Sequence, residues 1–582
     1  MNMSGIEQRE WEQNLLDRID WPREEAPAVC LLDTGVNRAH PLIEPVLSAR
    51  DTGAVNEEWT SADGAIPHGT LSAGLALYGD LVPVLAGTER IGLTHRLESM
   101  KLVRTDDPEA HEARSYGKVT QQAISRAELN APTRQRVFSL PVTQDLPGIG
   151  PSAWSATLDQ SAVGDSLEES DSGAREGRLI LVAAGNVQDG DVTVDDDADM
   201  NSHGILDPAQ AWNTVTVGGF TNKTEIDIEE DDLDGYAPLA SVGERSPYSR
   251  TSRPWRPDTP IKPEIVFEAG NMAVAPEGNY IAARIDSLSL LTTGPDVIGR
   301  PFDTMWATSA AVAQSARLAA MVRARYPEFR DETLRALLVH GAQWTPAMRA
   351  RLDDVGVTDR WSWLRVFGYG VPQLERVLGS AANDLAIIAE EVITPYRFER
   401  GASTVGYGDM HLHVLPWPIE TLRSLGEVQV RLKVTLSYFV EPNPGRFGAV
   451  SASAYRSSGL RFALQRRAES VDEFESRING AAREDDWEKT DVTDKGWVLG
   501  SRAVGNGSLH CNVWEGTAAD LAARGHLGIY PTSGWWRDLR RLRRYDDSMN
   551  YSLVVSLETD SEEVDLYADI SAVLTVVTSV EV

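Results

Sequence analysis

The sequence predicts an α/β protein: a mostly parallel sheet with helices on both faces, followed by a β-sandwich-like domain from about residue 390. Three observations predict it. Short continuous apolar runs, of the kind that buried parallel strands show, recur through the first 220 residues. Segments with helical periodicity alternate with them, as in strands joined by crossover helices. From about residue 390 the pattern changes to period two, the mark of strands with one covered face.

Taken in order, residues 1–25 read as a helical extension, with Trp11, Leu15, Leu16 and Ile19 near helical spacing and Pro22 as the stop. Residues 26–385 read as the α/β domain. Its first strand is "APAVCLLDTGV", which ends in Asp-Thr-Gly. Further strands are expected at 100–104, 136–140, 178–186 and 214–220, with helices in "HGTLSAGLALYG", "VTQQAISRAEL" and "WSATLDQSAVG". In open α/β sheets the chemistry gathers at the carboxyl ends of the strands, where Asp33 and Asn186 both fall. Residues 390–582 read as the β-domain. Its clearest strand alternates Val428, Val430, Leu432, Val434, Leu436 and Tyr438 with Gln429, Arg431, Lys433, Thr435 and Ser437, and "NYSLVVSLET" and "VDLYADISAVLTVV" follow the same pattern.

Composition narrows the function. The net charge of −32 disfavours nucleic acid and anionic membranes as partners. No window approaches the roughly 18 unbroken apolar residues of a membrane span. The start lacks the basic head and apolar middle of a signal peptide, so a cytoplasmic protein is expected. Two cysteines, Cys30 and Cys511, make neither a disulfide framework nor a four-ligand zinc site.

Four short motifs carry the chemistry. Asp33 stands in "LLDTGV", His68 in "HGTLSAG", Asn186 in "VAAGN" and Ser309 in "ATSAA". Each has a bland reading: Asp33 and Asn186 as turn residues, His68 as a helix start, Ser309 as an N-cap. A second His-Gly pair occurs at His203, but only His68 is followed by the Thr70 and Gly74 of the motif. Together and in this order, the four resemble the subtilisin-like serine peptidases, over about residues 26–380. "KPEIVFEAGN" and "GYGVPQLERVL" are similar to the segments before the family's serine and at its closing helix.

The resemblance implies that Ser309 is the nucleophile, His68 its general base and Asp33 the group that orients the imidazole. Asn186 and the Ser309 N–H would donate to the oxyanion. It implies an extended peptide substrate between "FSLPV" and "AAGN", paired with backbone groups of Ser139, Leu140, Ala183 and Gly185. Three residues depart from the family pattern: Ala307 for Gly, Ala313 for Pro, and Pro141 for Gly in the substrate-binding strand, where Pro removes a backbone donor. Only 32 residues precede Asp33, too few for the folded inhibitory prodomain common in the family. Restraint by a partner, an oligomer or an occluding loop is therefore expected.

The chain also resembles intracellular bacterial subtilases with a C-terminal β-domain. These often occur beside an AAA-type ATPase, which implies a two-component system and a role in phage defence. No cofactor is required by the chemistry. Structural calcium, with Asp189, Asp191, Asp195 and Asp197 as candidate ligands, is weighed against a solvated acidic loop. Five arginines in "RDLRRLRRYDD" (537–547) are weighed as a charged surface segment against a docking site for an acidic partner. The rival functional reading is a catalytically silent scaffold or sensor on the same fold.

Overall fold

A computed structural model describes residues 3–64, 66–104, 115–148, 150–164, 177–227, 233–256, 259–378, 385–399, 401, 403–415, 417, 419–445, 451–484, 496–500, 505, 507–559 and 577–581. The predicted strand in "VDLYADISAVLTVV" lies, but for its last residue, outside the described residues.

Seven parallel strands form the central sheet: β1 (Ala28–Asp33), β2 (Thr52–Ala54), β3 (Arg96–Lys101), β4 (Arg136–Leu140), β5 (Ile180–Ala183), β6 (Val215–Phe220) and β7 (Ile265–Glu268). Their order is β7-β6-β5-β4-β1-β3-β2. β1 is buried throughout, as its unbroken apolar run requires. β3 begins four residues before the expected run at 100–104 and ends at Lys101. Its polar residues hid it. Glu98 is buried in mid-strand, where Arg134 and Arg136 neutralise it at 3.0 and 2.9 Å.

Helices cover both faces. α1 is Gly5–Leu16, α2 is His68–Tyr78, α3 is Tyr116–Asn130 and α4 is Ala153–Val163. After the hairpin of β8 (Leu290–Asp296) and β9 (Arg300–Met305) comes α5 (Ala307–Arg325), which packs on β4 to β7 and is buried along most of its length. Ala310, Ala311, Ala313, Ala316, Ala319 and Ala320 keep its surface flat enough for that approach. α2 lies against α5 and β8. Gly74 permits this, because a Cβ there would stand 2.3 Å from Thr292 Oγ1 and 2.6 Å from Thr293 N.

The N-terminal helix is real, and Leu15 and Ile19 are buried, but the inward face departs from the expected apolar positions at Trp11. Trp11 is exposed, and Gln8, Glu12 and Leu15 face inward. Polar partners select that face. Gln8 Oε1 accepts from Phe302 N at 3.3 Å, and Glu12 lies 3.6 Å from His40. The helix also ends at Leu16, short of Pro22.

The C-terminal region holds two four-stranded antiparallel sheets. One orders β10 (Leu385–Ile393), β16 (Met549–Thr559), β12 (Gln429–Tyr438) and β14 (Leu509–Thr517). The other orders β13 (Gly459–Leu464), β15 (His526–Thr532), β11 (Asp409–Val414) and β17 (Val577–Glu581). Leu432, Val434 and Leu436 of one sheet share a core with Phe462 and Ile529 of the other, as in a sandwich. β12 alternates as predicted only at its start. From Thr435 onward both faces are buried, because α6 (Asp331–His340) packs on the polar side. His340 bridges Thr435 Oγ1 at 2.9 Å and Ser556 Oγ at 2.8 Å.

Arg335 of α6 ties this sheet to the α/β region. It is fully buried and donates to the carbonyls of Trp212, Tyr438 and Ser508 at 2.6, 3.2 and 3.2 Å. Asn213 exchanges two hydrogen bonds with the Val440 backbone beside it.

Candidate active site

Asp33 is the last residue of β1, at the carboxyl edge of the sheet, and is 1% exposed. Thr34 N donates to its Oδ1 at 2.8 Å and Ser72 Oγ to its Oδ2 at 3.0 Å. Both oxygens also face His68 Nδ1, at 2.7 and 2.9 Å. That contact fixes the tautomer: Nδ1 carries a proton toward the carboxylate, and Nε2 is left as the basic atom. The His68 side chain remains 28% exposed.

His68 opens α2 directly after Pro67, which has no side-chain acceptor and makes no cap. Asp63 supplies the missing acceptor from outside. Its carboxylate takes Thr70 N at 2.8 Å, Gly69 N at 3.3 Å, Thr34 Oγ1 at 2.6 Å and the Thr70 hydroxyl. It thereby joins the turn after β1 to the helix that carries the imidazole. Burial pushes Asp63 up to about 6, against the pull of the hydroxyls of Thr34 and Thr70. Burial draws the His68 imidazole down. The Asp33 carboxylate, through charge and hydrogen bond, and Asp63 behind it overcome that effect and hold its pKa above the usual 6.5.

Ser309 is the third residue of α5, not its N-cap. That position is Trp306, which makes no side-chain cap. The helix starts two residues before Ser309, since β9 turns directly into α5 through Ala307 in a left-handed conformation, φ 66°. The Ser309 hydroxyl donates to Pro141 O at 3.1 Å. No hydrogen bond joins it to the His68 ring among the described residues.

Asn186 follows β5. Its Oδ1 accepts from Thr308 N at 3.0 Å and Thr308 Oγ1 at 2.6 Å. With the oxygen so held, the amide N–H groups face away from Thr308. β1, β4 and β5 are neighbours in the sheet, so Asp33, Pro141 and Asn186 bring His68, Ser309 and Thr308 to one edge. Of the expected substrate-pairing residues, Ser139 lies inside the sheet, paired on both sides, while Ala183 pairs on one side only, with Val217. Leu140 and Gly185 stand at and just beyond the strand ends.

The acidic loop is matched mainly by arginines. Asp189 accepts from Arg284 at 2.8 Å and Asp197 from Arg253 at 2.8 Å, while Asp195 caps the helix Asp196–Ser202 through Ala198 N at 3.1 Å. Asp191 is exposed. Among the described residues, no group of three or more His, Cys, Asp or Glu side chains is set to hold a metal. Both cysteines are free and buried. No described helix is long and apolar enough to cross a membrane.

The four motif residues and Ala307 were legible in the sequence. Asp63, Ser72 and Thr308 were missed as orienting groups. Asp63 did leave a signal, a carboxylate just upstream of a helix whose cap position is Pro.

Three comparisons bear on the site. The family model described as the subtilase family matches residues 24–370. An uncharacterized protein, y4bN, of Sinorhizobium fredii (strain NBRC 101917 / NGR234) is 26% identical over 326 residues, 54% of this chain and 67% of that protein. Similar solved structures include a lanthipeptide protease, with 16% identity over 61% of this chain and 87% of that one, at a TM-score of 0.38. The epidermin leader peptide processing serine protease (EpiP) of Staphylococcus aureus has 14% identity over 65% and 82%, at 0.36. The MycP3 protease from the type VII (ESX-3) secretion system has 17% identity over 64% and 86%, at 0.35.

Proposed function

The chain belongs to the subtilase family, and from that premise we propose that it is a serine endopeptidase working through an acyl-enzyme. The observation that carries the reading is the bidentate contact of Asp33 with His68 Nδ1, at the sheet edge where Ser309 and Asn186 are also held. His68 Nε2 takes the proton of Ser309 as Oγ attacks the scissile carbonyl. The imidazolium, stabilised by Asp33, then protonates the leaving amine. Water, deprotonated by the same nitrogen, attacks the ester, and the imidazolium gives that proton to Ser309 Oγ as the ester bond breaks and the acid leaves. The Asn186 amide and the Ser309 N–H, in the first turn of α5, donate to the oxyanion of each tetrahedral intermediate.

Ser309 must first leave Pro141 for His68. A regulatory partner is part of the reading, with an AAA-type ATPase as the candidate, tested by co-purification under gentle conditions. The same hydrogen bond favours the second reading, a silent scaffold.

A fluorophosphonate probe separates the two. The peptidase reading expects labelling of wild type, loss of it in Ser309→Ala, and a fall of several orders of magnitude in His68→Ala. No labelling in any state, partner included, leaves the scaffold.

A further inference from the structure

Resting on the peptidase reading, we infer that Leu206 closes the pocket for the residue before the cut bond, so the enzyme cleaves after small side chains, Gly, Ala or Ser. Two walls leave the site. One runs on from β4 through Pro141, whose carbonyl holds Ser309. The other runs on from β5 through Gly185 to Asn186, which holds Thr308. A peptide with its carbonyl carbon on Ser309 Oγ and its carbonyl oxygen toward Asn186 sends the preceding side chain between these walls.

That gap is stitched shut. Gln144 N donates to Asp207 O at 2.8 Å, Asp207 N to Leu146 O at 3.0 Å and Gly148 N to Ile205 O at 2.8 Å, which binds the first wall to residues 205–207. On the other side Leu206 N donates to Ala184 O at 3.1 Å. Leu206 is thus held to the second wall by its own N–H and to the first through its neighbours Ile205 and Asp207, and it is 4% exposed. Its isobutyl group lies directly under Gly185. A Cβ built on Gly185 would meet Leu206 Cγ at 2.7 Å and its Cβ and Cδ1 at 2.8 Å. With Leu206 as its floor, the gap suits a hydrogen, a methyl or a hydroxymethyl group.

One extra methylene in a filled pocket changes discrimination by about tenfold or more. The test uses peptidyl diphenyl phosphonates ending in Ala or in Phe on the full chain, read by intact mass. Each rate is normalised to fluorophosphonate labelling of the same variant. Wild type is expected to react at least tenfold faster with the Ala probe. Leu206→Gly is expected to raise the Phe rate at least tenfold, and Leu206→Ala to fall between. Leu206→Phe should slow even the Ala probe, which covers the case in which the glycine variant fails to fold. Equal Ala and Phe rates in wild type overturn the inference, as does an unchanged ratio in the folded variants. No fluorophosphonate labelling of wild type defeats the peptidase reading itself and this inference with it.

Discussion

The hydroxyl of Ser309 donates to the carbonyl oxygen of Pro141 at 3.1 Å. A serine hydroxyl has one proton to give. While Pro141 accepts it, His68 cannot remove it, so this is a resting arrangement. The same residue weakens the expected substrate strand, because Pro has no N–H to offer a peptide carbonyl. Pro141→Gly returns that donor and loosens the carbonyl that holds Ser309. A hydrogen bond of about 1 kcal/mol corresponds to about fivefold. We expect kcat/KM on tetrapeptides to rise by about that factor, and on single-residue esters by less. A variant no faster on the longer substrate would refute the pairing.

Asp63 faces Asp33 and the N-terminus of α2 across a short gap, and its charge helps to raise His68. The base works only when neutral, so the acid limb of kcat/KM tracks the His68 pKa, above 6.5. Asp63→Asn keeps an acceptor for Thr70 and removes the negative charge. The His68 pKa then falls, and the acid limb moves to lower pH. Asp63 itself titrates at about 6, and its protonation removes the charge that raises His68, so wild type should lose activity less steeply on acidification than the variant does. A limb that stays in place or moves upward would show that Asp63 does not act on the imidazole.

Asn186 is held by Thr308 through one side-chain and one backbone donor. Asn186→Ala should lower kcat about a hundredfold or more, as loss of an oxyanion donor does. Thr308→Val removes only the hydroxyl and leaves the amide less firmly aimed. It should cost about tenfold in kcat with little change in KM, measured on one peptide substrate. An effect on KM alone would assign Thr308 to substrate binding instead.

Ala307 carries a left-handed backbone, φ 66°, at the entry to α5. An L-residue there costs about 1–2 kcal/mol. Its methyl packs against Val187, Tyr248 and Met272, and losing that burial costs about 0.8 kcal/mol. Backbone strain therefore outweighs methyl burial, and Ala307→Gly should raise stability by up to about 1 kcal/mol. Chemical denaturation checks the sign, and a lower midpoint would mean that packing wins instead.

The α/β order and the four motif residues were legible because each is local: an apolar run, a helix start, a residue at a strand end. What was not legible depends on contacts distant in sequence. Glu98 hid a strand because its neutralising arginines lie about 36 residues away. The inward face of α1 is set by Gln8 reaching Phe302, 294 residues on, and the apolar pattern pointed to Trp11 instead. Thr435 and Ser437 read as the solvent side of β12, and only the docking of α6 buries them. Asp63 belongs with Asp33 for the same kind of reason, since no spacing rule links them.

Arg335 gives the last prediction. It is a buried cation whose donors serve three carbonyls, two of them in the C-terminal region, with Glu264 3.9 Å away. Removing one member of such a buried set costs about 3–5 kcal/mol. Arg335→Met keeps the apolar stem but removes one donor each from Trp212, Tyr438 and Ser508, of which Trp212 O keeps Ser508 Oγ at 2.7 Å and Ser508 O keeps Tyr438 N at 3.0 Å, and leaves Glu264 with one positive neighbour fewer. Lys262 still contacts Glu264 at 2.6 Å, so the loss should fall mainly on the junction. We expect the variant to unfold in two steps, with the tryptophans of the C-terminal core reporting the earlier one. For the same reason, residues 1–385 alone should aggregate, because the face of α6 that meets β12 and β16 would be bare. A soluble, monomeric 1–385 fragment would show that the two regions fold independently and that Arg335 does not couple them.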